Sequence, residues 1–296
     1  AVSLALAGVA AAGSNAMAYA EGAGLDGGAG DDTLINEGEM EAAAVARAVG
    51  RTLSFGSFAG LAEVNSTGHA VLFGTLGGDG DDWVANSGSI ALDAQASAIG
   101  QSIGAASSGF ALAAANADAI VEATGLGGGS GADTLLNAGS ITVDAEARTV
   151  ARGIAASSTG YSLASADTNS TALAVGIDGG DGDDAIRNDV GATVTVASRA
   201  RTNSGGAAIT IFGATEGSAR TLPRSTAVGL AGGEGDDQIE NAGDLEVSSK
   251  SDSFAAGVGA SAVGFGAANT GIEAESVATG LDGGGNGDRV LKILGE

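Results

Sequence analysis

The chain has 296 residues, with 53 glycines, one proline, no cysteine and only 3% aromatics, so its side chains are small. Twelve basic against 36 acidic residues leave a net charge of −24, which disfavours nucleic acid and anionic membranes as partners and favours hard cations. No cysteine and one histidine exclude disulfides, thiolate sites and His-pair zinc or catalysis. No run of 18 apolar residues suggests a membrane span.

Residues 1–20, AVSLALAGVAAAGSNAMAYA, have the apolar run and small-residue tail of a signal peptide but no basic leading segment. Ala10, Ala12, Ser14, Ala16, Ala18, Ala20 and Gly22 alternate in a pattern that recurs downstream, so this stretch is expected to be the last strand of a partial repeat. Then comes GLDGGAGDDTLIN from Gly24, with counterparts beginning at Gly74, Gly125, Gly176, Gly229 and Gly280. The spacings are 50, 51, 51, 53 and 51 residues, and the array fills residues 1–296 without a linker or second domain.

Between glycine motifs the pattern has period two. Ile90, Leu92, Ala94, Ala96 and Ala98 share one face; after a glycine-rich bend near 104–109, Ala111, Ala113, Ala115, Ala117, Ala119, Val121 and Ala123 share another. Alanine favours helix, but strict alternation repeated along the chain argues for strands with the small face inward. The expected fold is all-β: a parallel β-solenoid (β-helix or β-roll-like) with one rung of about 51 residues per repeat. Each rung would hold two long strands and a short third strand after the glycine loop. The core would be thin and flat, lined by Ala, Gly and Ser, with the loops stacked along one edge and rungs about 4.8 Å apart.

The loops carry the chemistry. GGAGDDTLI from Gly27 resembles the GGxGxDxUx nonapeptide of the RTX calcium-binding repeat family, as do the copies from Gly77, Gly128, Gly179 and Gly232. The last copy departs: with Asp288 as the motif aspartate, Asn286 stands where glycine is usual. Calcium takes 6–8 oxygens, and glycines at positive φ let loop carbonyls converge. The resemblance implies calcium at motif positions one, three and six. These are Gly27, Ala29 and Asp32; Gly77, Asp79 and Asp82; Gly128, Ser130 and Asp133; Gly179, Asp181 and Asp184; Gly232, Glu234 and Asp237; and Asp288. In that family each ion sits between equivalent loops of successive turns, so six stacked loops imply up to five ions in one row.

The U positions Leu34, Val84, Leu135, Ile186, Ile239 and Val290 are expected to form an inward ladder. Asn36, Asn86, Asn137, Asn188 and Asn241 are expected to stack as a structural amide column. The neighbouring acids Asp31, Asp81, Asp183 and Asp236 read as solvated, since Ala132 replaces them in one repeat. His69 has no repeat equivalent and reads as a surface residue; Arg199, Arg201, Arg220 and Arg224 read as local charge balance.

Repetition without a singular site points to a structural, non-catalytic segment of a secreted surface, matrix or filament protein. An adhesin module for glycans or another surface is the alternative, and a carbohydrate-active β-helix enzyme stands last, because aromatic platforms are scarce. The resemblance implies an extracellular or cell-surface location. The uncapped repeat pattern at both ends leads to the expectation of head-to-tail self-association or continuation in a longer array.

Overall fold

The computed structural model describes residues 1–285 and 287–292; Asn286, the departure in the last motif, and Glu296 lie outside the described residues. A partial repeat supplies β1 (Val2–Ala5) and β2 (Val9–Ala29). The next two repeats supply β3 (Thr33–Asn36), β4 (Glu39–Gly56) and β5 (Ala59–Asp79), then β6 (Trp83–Asn86), β7 (Ser89–Ala106) and β8 (Gly109–Ser130). In the two that follow, both long strands run on as one element through their bend: β9 (Thr134–Asn137) with β10 (Ser140–Asp181), and β11 (Ala185–Asn188) with β12 (Thr193–Glu234). The last elements are β13 (Gln238–Asn241), β14 (Asp244–Ile272), β15 (Glu275–Asp282) and β16 (Arg289–Lys292).

All the pairings are parallel, and each joins a residue to its own counterpart one repeat on. In the first long-strand series Glu39 faces Ser89, then Ser140, Thr193 and Asp244. In the second, Val9 faces Ala59, then Phe110, Tyr161, Ala214 and Phe265. The short strands form a separate six-stranded sheet in the order β16-β13-β11-β9-β6-β3. The fold is therefore all-β and β-solenoid-like. Residues 1–20, which carry the signal-peptide look, supply β1, paired with β4, and the first half of β2, paired along its length with β5.

The inward face is the one the alternation indicates. Ala111, Ala113, Ala115, Ala119 and Val121 are fully buried, as are Ala94, Ala98, Ser162, Ala164 and Ser170. The bend lies at Ser107–Ser108, with Gly109 at φ 91°. The core, however, is a wedge rather than flat. Next to the bend the two long-strand sheets nearly touch: a Cβ on Gly104 would strike the Leu112 carbonyl, and one on Gly60 or Gly206 would strike Ala105 or Ser218. At the other end the short strand makes a third side, and Ile90, Leu126, Leu135, Ile141, Ile177, Ile186, Leu230 and Ile239 fill the wider space.

Two irregularities have local causes. The longest repeat carries its two extra residues in the turn after Asn188, where Ala192 donates to the Asp189 carbonyl, Gly191 takes φ 83° and Val190 projects into solvent. The ladder between β12 and the last long strand breaks between Ile272 and Glu275, opposite Pro223, which has no N–H to donate.

Candidate metal centre

The corner between each second long strand and the following short strand is turned by motif positions four to six. Glycines at positions two and four take positive φ: 114° and 128° at Gly78 and Gly80, 105° and 135° at Gly180 and Gly182. Such angles exclude side chains at little cost only for glycine. The backbone N–H groups of positions five and six then find no ladder carbonyl, and carboxylates of adjacent rungs take them instead.

The sixth-position aspartates form a continuous column. The N–H of Asp32 donates to Oδ1 of Asp82 at 2.7 Å, Asp82 to Asp133 at 2.7 Å, Asp133 to Asp184 at 2.8 Å and Asp184 to Asp237 at 2.9 Å. Asp237 donates to Asp288 at 3.2 Å, so the last, aberrant motif keeps its aspartate in register. Asp82, Asp133, Asp184 and Asp237 are 1–3% exposed. In each of these, and in Asp32, Oδ2 is buried with no hydrogen-bond partner.

The first glycine of each motif explains where these orphan oxygens point. A Cβ on Gly77 would meet both Asp82 Oδ2 and the carbonyl oxygen of Gly128. The same pair of oxygens, one anionic and one carbonyl, converges beside Gly128 (Asp133 Oδ2, Gly179 O), Gly179 (Asp184 Oδ2, Gly232 O) and Gly232 (Asp237 Oδ2, Gly283 O). At Gly27 the corresponding pair is Asp32 Oδ2 and the Gly77 carbonyl. The glycine leaves a cradle that a side chain would fill. Its donor chemistry, a carboxylate oxygen without a hydrogen-bond partner beside a backbone carbonyl oxygen, suits a hard cation.

Stacking buried carboxylates one rung apart raises their affinity for protons. Burial pushes the Asp184 carboxyl up to about 7, the Asp133 N–H opposes this, and the Asp133, Asp237 and Asp178 carboxylates add to it. Asp133 and Asp237 are raised in the same way, chiefly by burial and against their own backbone hydrogen bonds.

The third-position side chains are not brought to the column. Ala29, Asp79, Ser130, Asp181 and Glu234 are exposed, and the carbonyls of the last four accept the N–H of Gly30, Gly80, Gly131 and Gly182. Among the described residues no group of three or more His, Cys, Asp or Glu side chains is placed to hold a metal together. The fifth-position acids form a second, more exposed ladder running the opposite way: Asp31 accepts from the Asp81 N–H, Asp81 from Ala132, and Asp183 from Asp236. Sequence reading missed this capping role; the doubled aspartate before the apolar U position was its signal.

The remaining columns fall where the pattern puts them. Leu34, Val84, Leu135, Ile186 and Ile239 are buried, while Val290 on the last strand is 44% exposed. Asn36 Nδ2 donates to Asn86 Oδ1, Asn86 to Asn137, Asn137 to Asn188 and Asn188 to Asn241, all at 2.7–2.8 Å. His69 lies on the outer face, its ring edge-on to Tyr19 at 5.2 Å. Arg199, Arg201 and Arg224 pair with Asp144, Glu146 and Glu275.

Comparison with family models, with curated proteins and with solved structures found no match to the chain.

Proposed function

We propose that the chain is a calcium-stabilised structural segment of an extracellular surface, matrix or filament protein, not an enzyme. One observation carries this reading: five successive aspartates each keep a buried Oδ2 without a donor, beside a carbonyl of the next rung across a glycine cradle. Such a column is costly as bare anions and is relieved by a divalent cation between rungs. Asp32, Asp82, Asp133, Asp184, Asp237 and Asp288 would supply the negative charge. Backbone carbonyls, including those of the first glycines, would supply most other oxygens, since among the described residues no side-chain cluster does so. Bound calcium would neutralise the column and couple neighbouring rungs, stiffening a solenoid of one rung per repeat whose core is narrow at the bend and filled by Ile and Leu beside the short strands. The millimolar calcium of an exterior suits weak, carbonyl-rich sites of this kind.

Calorimetric calcium titration with far-UV circular dichroism under chelation tests the reading. Uptake of several ions, with strand signal or thermal stability falling under chelator and returning with calcium, is expected. No uptake and an unchanged melting curve would reject it.

A second reading, adhesion to glycans, is favoured by one feature of the outer face. Asn65, Asn116, Asp118, Asp167, Asn169 and Arg220 line a shallow groove of about 560 Å³. Binding of neutral oligosaccharides that is lost in Asn116→Ala would support it.

A further inference from the structure

The bend edge, opposite the acidic loops, carries no charge at all. Residues 2–20, 52–62, 102–117, 153–166, 202–215 and 253–272 contain no Asp, Glu, Lys, Arg or His, in a chain whose net charge is −24. These windows are the bend and its flanking strand ends in each successive repeat, so parallel stacking joins them into one ridge along the array. Large apolar side chains stand out from it: Phe58 is 66% exposed, Phe212 54% and Phe265 68%, and Ile209 and Ile211 are half exposed. Beside the bend Phe110 and Tyr161 stack with centroids 5.8 Å apart. These side chains cannot turn inward, because the wedge brings the two sheets to backbone contact there.

We infer that this ridge is an interface with a second copy of the chain, the two ridges meeting edge to edge. Contiguous exposed apolar surface of this extent marks an interaction site. Six strands span about 25–30 Å at the usual strand spacing, and the uncharged residues on the two flanks of the bend together span roughly 25 Å, giving about 700 Å² over both flanks. A standard interface buries roughly 600–1,000 Å² per partner, a range this area enters when both flanks take part. Charge distribution selects the partner. Ridge-to-ridge contact holds the two acidic loop edges on opposite outer sides, the arrangement of least repulsion between two copies of charge −24. A lipid surface lacks this fit, since cationic residues do not populate the ridge and anionic headgroups would be repelled. The contact joins the same patch on both copies, so a two-fold axis closes it at the dimer. This differs from end-on association, which would grow without limit. The inference does not rest on calcium binding.

Sedimentation equilibrium over about 1–100 µM, in millimolar calcium and again in chelator, tests it, with circular dichroism reporting folding separately. A monomer–dimer equilibrium that stops at the dimer is expected. Phe58→Lys combined with Phe212→Lys should weaken dimerisation at least tenfold with the strand signal unchanged; Ile211→Lys replaces the pair if it misfolds. Folded monomer at every concentration, growth beyond the dimer, an unaffected double variant, or folded monomer that floats with phosphatidylcholine vesicles would each overturn the proposal.

Discussion

The column of carboxylates makes opposite demands with and without a cation, and Asp184→Asn separates them. Asparagine keeps an Oδ1 for the Asp133 N–H and removes the charge at the orphan Oδ2. The folded-state carboxyl is raised from 3.8 to about 7. The folded chain thus binds protons more tightly than the unfolded one. Cation-free stability should therefore be fully present below about pH 4 and lost as pH rises through about 7. The shift of about 3 units at 1.36 kcal/mol each is an upper bound near 4 kcal/mol, and 2–4 kcal/mol is the order expected for the single group. In chelator at pH 8, Asp184→Asn should be more stable than the parent by that amount; at pH 5 the gap should shrink as the parent protonates. In millimolar calcium the order should invert, because the variant loses an anionic ligand to the ions on either side. Denaturant unfolding under these three conditions reads all of it. Equal destabilisation in chelator and calcium would show that Asp184 serves only as a hydrogen-bond acceptor in the ladder, and the cation reading would fail.

Three further substitutions probe other links. Gly128→Ala places a methyl on Asp133 Oδ2 and the Gly179 carbonyl, so it should cost at least about 2 kcal/mol and reduce calcium uptake in a titration; Gly38→Ala, with nothing within 4 Å, should do neither. Asn137→Leu strands the donor of Asn86 and the acceptor of Asn188 in a fully buried column, and urea unfolding should register a loss of about 3 kcal/mol. Ala113→Leu, fully buried where the sheets converge, should cost about 1–3 kcal/mol in the same assay, while Ala114→Leu, pointing outward, should cost far less.

The repeat and the inward face were legible because both are periodic in the residues themselves. Ala111 to Ala123 alternate by two, and Leu34 has a counterpart every 50–53 residues, so pairing and burial follow without knowledge of the shape. The sixth-position aspartate was legible for the same reason. Its Oδ1 contact was not, because it joins Asp133 to Asp184 across 51 residues and satisfies an N–H that only the corner geometry leaves unpaired. The wedge was hidden more deeply. Gly104 and Leu126 both occupy core positions, and only the presence of a third strand beside Leu126, with none beside Gly104, makes one end narrow and the other wide. The uncharged ridge, by contrast, stood in the sequence as six windows without Asp, Glu, Lys, Arg or His; it acquires meaning once stacking aligns them.

The two polar columns flanking each short strand differ in how far they satisfy themselves, and the proposed cation rests on that difference. An amide carries a donor and an acceptor, so Asn36 through Asn241 satisfy one another as each Nδ2 reaches the next Oδ1, and further bonds such as Asn86 to the Ser140 carbonyl use the second hydrogen. A carboxylate carries only acceptors. In the aspartate column each Oδ1 from Asp82 to Asp288 takes the one N–H available, and Oδ2 remains without a partner in every rung from Asp32 to Asp237. Replacing those aspartates with asparagines would suit the corner N–H equally well, and the chain uses asparagine freely one short strand away. Hydrogen bonding alone therefore does not explain aspartate at this corner. In the proposed reading the added charge is stabilising when a proton or a metal ion shares it, and near pH 8 that role falls to the metal ion.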